Sequence, residues 1–250
     1  LHVTLEGLPA PSRIKHLLID EMQDYSPIQY KMIQKLYSCR KTILGDACQS
    51  VNPYGSSTAE MIQKAFVTGK VMKLCKSYRS TFEISNFAQR IQANEDLEAI
   101  ARHGDAPFKN PEEELSAISG IITTFKKSNY KSLGIICKTE VQAQEITERL
   151  KSHTDNLYFL SHQSTAFAKG ITITSSHMAK GLEFDEVIIP QTNASNYNTL
   201  IDKSMFYVAA TRAMHRLTIT YWDKPSRFIP FPNPYTRQST LGNGNNPPAP

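Results

Sequence analysis

The feature that most constrains this chain is a repeated alternation. Short apolar runs, most of them closed by a polar cluster, take turns with longer segments of helical periodicity. The runs HLLID (16–20), KTILGD (41–46), VMKLC (71–75), SLGIIC (132–137), LYFL (157–160), GITITS (170–175), DEVIIP (185–190) and RLTITY (216–221) have the length and composition of buried strands. Between them lie PIQYKMIQKLYS (27–38), TAEMIQKAF (58–66), STFEISNFAQRIQ (80–92), EEELSAISGIITTFKK (112–127), EVQAQEITERLKS (140–152) and LIDKSMFYVAATRAM (200–214). Their apolar residues recur at helical spacing, as at Ile28, Met32, Ile33 and Leu36. Pro27 suits a first helical position, and Ser80 or Thr81 caps a helix with Glu83 in its first turn. Strands alternating with helices predict an α/β fold, with parallel sheets covered by helices on both faces.

The stretch HGDAPFKNP (103–111), with its glycine and two prolines, reads as a linker. It predicts two α/β units, residues 1–103 and 104–230, followed by a disordered tail, 231–250, rich in Pro, Asn and Gly. A chain of 250 residues has room for two modest cores. Its net charge of +5 is compatible with a polyanionic partner without requiring one. The cysteines, Cys39, Cys48, Cys75 and Cys137, form no C-x-x-C, and no histidine pair stands at zinc-ligand spacing. Buried free thiols in a reducing cytoplasm are expected rather than a structural metal. No apolar stretch is long enough to span a bilayer and no signal peptide is visible, so the expected location is cytoplasmic, away from membranes.

Most of the polar clusters sit where a strand ends, which is where open α/β sheets bind ligands. LLIDE is a Walker-B arrangement: Asp20 organises Mg²⁺, and Glu21 orients or deprotonates an attacking water. Gln23 and Asp24 are expected to organise the same corner. Taken alone the pattern is weak, because a solvated turn after a strand gives the same letters. Further clusters are TILGDACQS (42–50), CKSYRS (75–80), ITSSHMAKGLEFDEV (173–187) and FYVAATRAMHRL (206–217).

In this order, DEMQD, GDACQS, SYRS, SHMAKGLEFD and VAATRAMHRL resemble motifs II to VI of superfamily 1 helicases of the UvrD/Rep type, across residues 16–221. The resemblance implies RecA-like domains of the P-loop NTPase type, with ATP and Mg²⁺ as cofactors. It implies movement 3′ to 5′ on single-stranded or partly duplex DNA. By the same resemblance Asp20 holds Mg²⁺ through water, Glu21 is the general base, and Gln49 senses the γ-phosphate. Tyr78 stacks on adenine, Arg79 contacts the γ-phosphate, and Glu183 bonds a ribose hydroxyl, with Gly181 in the same nucleotide-binding segment. Arg212 is an arginine finger from the second unit. His177 and Lys180 link the cleft to the strand-binding groove. Tyr54 stands at a DNA-stacking position, where stacking is worth roughly 1–3 kcal/mol per base. Singly, His177 also reads as a turn residue, Lys180 as a solvated one and Tyr54 as a loop tyrosine.

The sequence departs from the family in three places. It has no G-x-x-x-x-G-K-[ST] phosphate-binding loop. With a start only shortly before the acidic motif, a C-terminal fragment is expected, lacking the N-terminal part of its polypeptide and inactive alone. After Tyr54 comes Gly55, where the family carries an arginine. GIICK (134–138) and GITITSS (170–176) lie too close for the accessory domain of unwinding members. That compactness resembles the HelD group, which remodels RNA polymerase. The rival expectation is therefore an ATP-driven remodeller with RNA polymerase as partner. A third is a non-catalytic binding module.

Overall fold

The computed structural model describes residues 14–52, 59–66, 68–72, 80–91, 110–164 and 170–229. Tyr54, Tyr78 and Arg79, the strand positions 73–75, linker positions 103–109 and the tail 231–250 lie outside the described residues.

Strands β1 (His16–Ile19) and β2 (Arg40–Ile43) pair in parallel, with Ile19 opposite Ile43. The crossover between them is α1 (Pro27–Leu36). It starts at Ser26 through a reciprocal cap: Gln29 N donates to Ser26 Oγ, and Ser26 N donates to Gln29 Oε1 at 2.7 Å. Helix α2 (Ala59–Ala65) packs on α1, and Ile19, Tyr30 and Ile62 form a small core. On the opposite face of β1, Leu18 is 64% exposed. Among the described residues only one face of this sheet is covered, where the alternation predicted two.

Helix α3 (Phe82–Ile91) leads, across undescribed residues, to α4 (Pro111–Lys126). Then follow β3 (Ser132–Cys137), α5 (Glu140–Leu150), β4 (Leu157–Leu160), β5 (Gly170–Ser175), β6 (Phe184–Ile189), α6 (Leu200–Ala210) and β7 (Ala213–Ile219). The five strands form one parallel sheet in the order β4-β5-β3-β6-β7. Side chains alternate across it. Leu133, Ile135 and Cys137 of β3 pack under α4 and α5, whereas Ile136 points to the face covered by α3 and α6. Each apolar side chain buried this way contributes roughly 1.5–3 kcal/mol. Burial also pushes the Cys137 thiol far up from its ordinary range, so it packs as an inert apolar group. Gly134 lies against Phe184: a Cβ there would stand 2.6 Å from the ring.

Two expectations are corrected. The sequence placed 80–92 with the first unit, up to a boundary at 103/104. Instead α3 buries Ile84, Ala88 and Ile91 with Phe184, Phe206 and Tyr207 of the second sheet's core. Ser80 Oγ donates to Ala213 O at 2.7 Å and Thr81 N to Met214 O at 3.0 Å, fixing the start of this segment along β7. An amphipathic helix settles where its stripe finds apolar partners, and the larger face here belongs to the second unit. The predicted helix 200–214 also ends early, at Ala210, because β7 begins pairing with β6 at Phe184 and Ala213. Phe184 N donates to Arg212 O at 3.0 Å. Thr211 and Arg212 therefore form a corner between helix and strand. Among the described residues no helix is long and apolar enough to cross a membrane.

Candidate active site

The acidic corner is built by the end of the β1–β2 ladder. Leu44 N donates to Ile19 O and Met22 N to Leu44 O, both at 2.8 Å, so the pairing continues beyond the strands and fixes the turn. Asp20 is exposed at this end. Glu21 has left-handed backbone angles, φ 52° and ψ 51°. That region costs a non-glycine residue roughly 1–2 kcal/mol. The turn is held by Glu21 N donating to Asp20 Oδ1 at 2.8 Å and by Tyr30 Oη donating to Met22 O at 2.7 Å. Gln23 is fully buried beneath it. Its Nε2 donates to Glu21 Oε2 at 2.5 Å, and its Oε1 accepts from Asp46 N at 3.2 Å. Only glycine fits at position 45, since a Cβ there would lie 2.5 Å from Gln23 Oε1 and 2.6 Å from Met22 N.

The contacts continue into the second unit. Asp46 Oδ2 accepts from Gln49 Nε2 at 3.1 Å, and Gln49 Oε1 accepts from Arg212 Nη2 at 2.8 Å. Arg212 is 1% exposed. From its corner it also donates to Val208 O at 3.1 Å, Leu182 O at 3.4 Å and Thr211 Oγ1 at 3.1 Å. Lys180 Nζ lies 2.6 Å from Asp24 Oδ1 and 3.6 Å from Glu21 Oε2, with its side chain 10% exposed. Asn52 Nδ2 donates to Asp24 O at 3.1 Å. Four segments far apart in sequence thus meet in one polar cluster, with Lys180 against the carboxylates of Asp24 and Glu21 and Arg212 against the amide of Gln49.

Asp20, Glu21, Gln49, Lys180 and Arg212 are brought together. Lys180, in the segment expected to link the cleft to the strand-binding groove, turns to the acidic corner. Gly181 follows it at φ +79°, exposed, with nothing within 4 Å of where a Cβ would stand. Glu183 is exposed just before β6. His177 is exposed in the turn after β5. Sequence reasoning missed Asp46 as a site residue. Its signal was the one that marked Asp20, a carboxylate at the end of an apolar run.

The donors suit a hard cation. Among the described residues no three His, Cys, Asp or Glu side chains are grouped to cage an ion. Mg²⁺ needs no such cage: it takes one or two carboxylates and completes its shell with water and phosphate oxygens. An exposed Asp20 at a strand end offers that.

Parallel sheets whose strand ends carry an acidic corner, met by an arginine and a lysine from a second sheet, define a RecA-like helicase-type α/β protein. The chain belongs to the UvrD/Rep-type DNA helicases. The family model for the UvrD/REP helicase N-terminal domain matches residues 9–67, and that for the UvrD-like helicase C-terminal domain matches 156–224. ATP-dependent DNA helicase srs2 of Schizosaccharomyces pombe is 39% identical over 178 residues, covering 68% of this chain and 17% of that protein. DNA helicase II of Haemophilus influenzae is 38% identical over 86 residues, 33% of this chain and 12% of that protein. Among solved structures, the C-terminal domain of a possible DNA helicase from Lactobacillus plantarum matches with a TM-score of 0.52 and 28% identity. That match covers 62% of this chain and 93% of the other. The chain spans about a third or less of the length of the curated relatives it matches.

Proposed function

We propose that these residues form one side of an ATP-hydrolysing cleft in a DNA helicase or translocase that moves 3′ to 5′ on single-stranded DNA. The observation that carries the reading is the 2.8 Å contact between Arg212 and Gln49, which joins one unit to the other. Glu21 takes the proton of the attacking water. Asp20 holds Mg²⁺, which when bound neutralises phosphate charge. Arg212 exchanges Gln49 for the γ-phosphate, and Gln49 reports the exchange to the first unit. Lys180 serves this cleft rather than the DNA groove, holding Asp24 and Glu21 in place. Because both cations come from the second unit, nucleotide binding and release change how tightly the units grip one another, which can drive stepping on DNA. By the same resemblance, Tyr78, Arg79, Gly181 and Glu183 are assigned to the nucleotide, and Tyr54 and His177 to DNA. The phosphate-binding loop comes from another part of the polypeptide. The units divide ahead of Ser80, and the protein works in the cytoplasm.

A second reading is an ATP-driven remodeller of RNA polymerase. It is favoured by the short connection from Leu160, which ends β4, to Gly170, which begins β5. No accessory domain is inserted there.

Phosphate release tests the proposal. The 250-residue chain is expected to release none. A longer polypeptide carrying the phosphate-binding loop is expected to show DNA-stimulated turnover that Glu21→Gln abolishes. Undiminished turnover in Glu21→Gln refutes the cleft, and Glu21-dependent turnover by the short chain refutes the need for the missing loop. Strand displacement without RNA polymerase counts against the second reading.

A further inference from the structure

We infer that Gln23 is a positioning residue for Glu21, locking the direction of its carboxylate and tying it to the loop that carries Asp46 and Gln49. The inference rests on Glu21 acting as the base. Gln23 is a neutral amide with no exposure, and a buried amide must be satisfied at both ends. It is: Nε2 donates to Glu21 Oε2 at 2.5 Å and Oε1 accepts from Asp46 N at 3.2 Å. The orientation is unambiguous, because a carboxylate can only accept and a backbone N–H can only donate. An independent observation supports the site. The absence of a side chain at Gly45 is what admits Gln23 Oε1, since a Cβ would stand 2.5 Å away. Asp46 in turn accepts from Gln49, which accepts from Arg212. Gln23 therefore sits between the base and the residues that meet the second unit. A shift of Arg212 away from Gln49 is passed through Asp46 and Gln23 to the carboxylate that activates water. Glu21 rests on a left-handed turn and needs such a brace, because its backbone alone does not fix where its carboxylate points.

Two near-isosteric variants separate bracing from general support. Gln23→Glu keeps an acceptor for Asp46 N and removes the donor to Glu21. Gln23→Met removes both hydrogen bonds and adds no charge. In the longer polypeptide, each is expected to lower kcat for ATP on the order of 10- to 100-fold, the range for a lost orienting partner. KM for ATP should hold, with kcat compared at a temperature where each variant remains folded, since an unpaired Asp46 N or a buried carboxylate lowers the melting temperature. Glu21→Gln combined with Gln23→Met should be no slower than Glu21→Gln alone, since a brace matters only while the base is present. A second readout needs no turnover. In the 250-residue chain the Gln23 side-chain amide should give a downfield, slowly exchanging proton by NMR, and Glu21→Ala should remove it. Three results overturn the inference: wild-type kcat in both variants, a loss confined to temperatures where the variant unfolds, or an amide signal indifferent to Glu21→Ala. If Glu21→Gln itself retains full turnover, the base assignment falls first and the inference falls with it. If Glu21→Gln is dead while Gln23→Met is normal, the inference alone is wrong.

Discussion

Arg212→Lys is the substitution that divides two roles for one buried cation. In the structure the guanidinium spans a corner, donating to Val208 O, Thr211 Oγ1 and Gln49 Oε1 at 3.1, 3.1 and 2.8 Å, with a longer contact to Leu182 O. Lysine keeps the charge but brings a single nitrogen, which cannot reach acceptors spread across a planar fork. One or two of the three short bonds lapse, and each bond to a charged group is worth roughly 1.5–3 kcal/mol. The expected loss is about 3 kcal/mol, because the ammonium stays buried with fewer partners. At roughly 2–4 °C per kcal/mol for a domain of this size, the melting temperature should fall by about 6–12 °C. Differential scanning calorimetry on the 250-residue chain measures this. In the proposed role of arginine finger, Arg212 would also supply transition-state stabilisation worth about 10³–10⁵ in kcat. The longer polypeptide carrying Arg212→Lys should therefore lose at least about 10³-fold at a temperature where it remains folded. A melting temperature and a kcat both equal to wild type would refute the reasoning outright. A lowered melting temperature with wild-type kcat would make Arg212 a structural bolt and nothing more.

Glu114, buried in the first turn of α4, accepts from Gln191 N and Thr220 Oγ1, both at 2.7 Å. Burial raises its carboxyl above the ordinary range, against the opposing pull of those hydrogen bonds. A raised folded-state value means the stabilisation is complete below the unfolded carboxyl range and is lost as pH rises through the folded value. Melting curves from pH 4 upward should show Glu114→Gln gaining on wild type as pH increases, and a constant difference would contradict this. Gly134→Ala should destabilise by about 1–3 kcal/mol, the range for overpacking, because Phe184 is wholly buried and has nowhere to retreat. Chemical denaturation checks it, and pairing it with Phe184→Leu should restore part of the loss.

The strands and helices were legible in the sequence because their signals are local. Apolar runs, Pro27, and the Thr139 and Thr199 caps lie within a few residues of what they control. What was hidden depends on partners far along the chain. The run LIDKSMFYVAATRAM carries helical spacing to Met214, and only the pairing of Ala213 with Phe184 stops it at Ala210. Helix α3 shows a clear apolar stripe, but the stripe does not say which core receives it. The clusters DEMQD and MAKGLEFD were readable as motifs. That Lys180 would reach Asp24, 156 positions away, was not. Nor did the letters show that Glu21 would take left-handed angles or that Gln23 would be the wholly buried member of an acidic run.

The docking of Ser80 and Thr81 along β7 bears on how the molecule can be divided. These residues occupy carbonyls of Ala213 and Met214 at the outer strand of the five-stranded sheet, and α3 roofs the apolar face beside it. A piece cut at the apparent linker near residue 104 would carry the whole sheet yet leave that margin open to pairing with another copy, and the apolar face beside it bare to water. A piece beginning ahead of Ser80 keeps both covered. Where a strand margin is sealed, and not where prolines and glycines gather, is therefore the better guide to cutting this polypeptide.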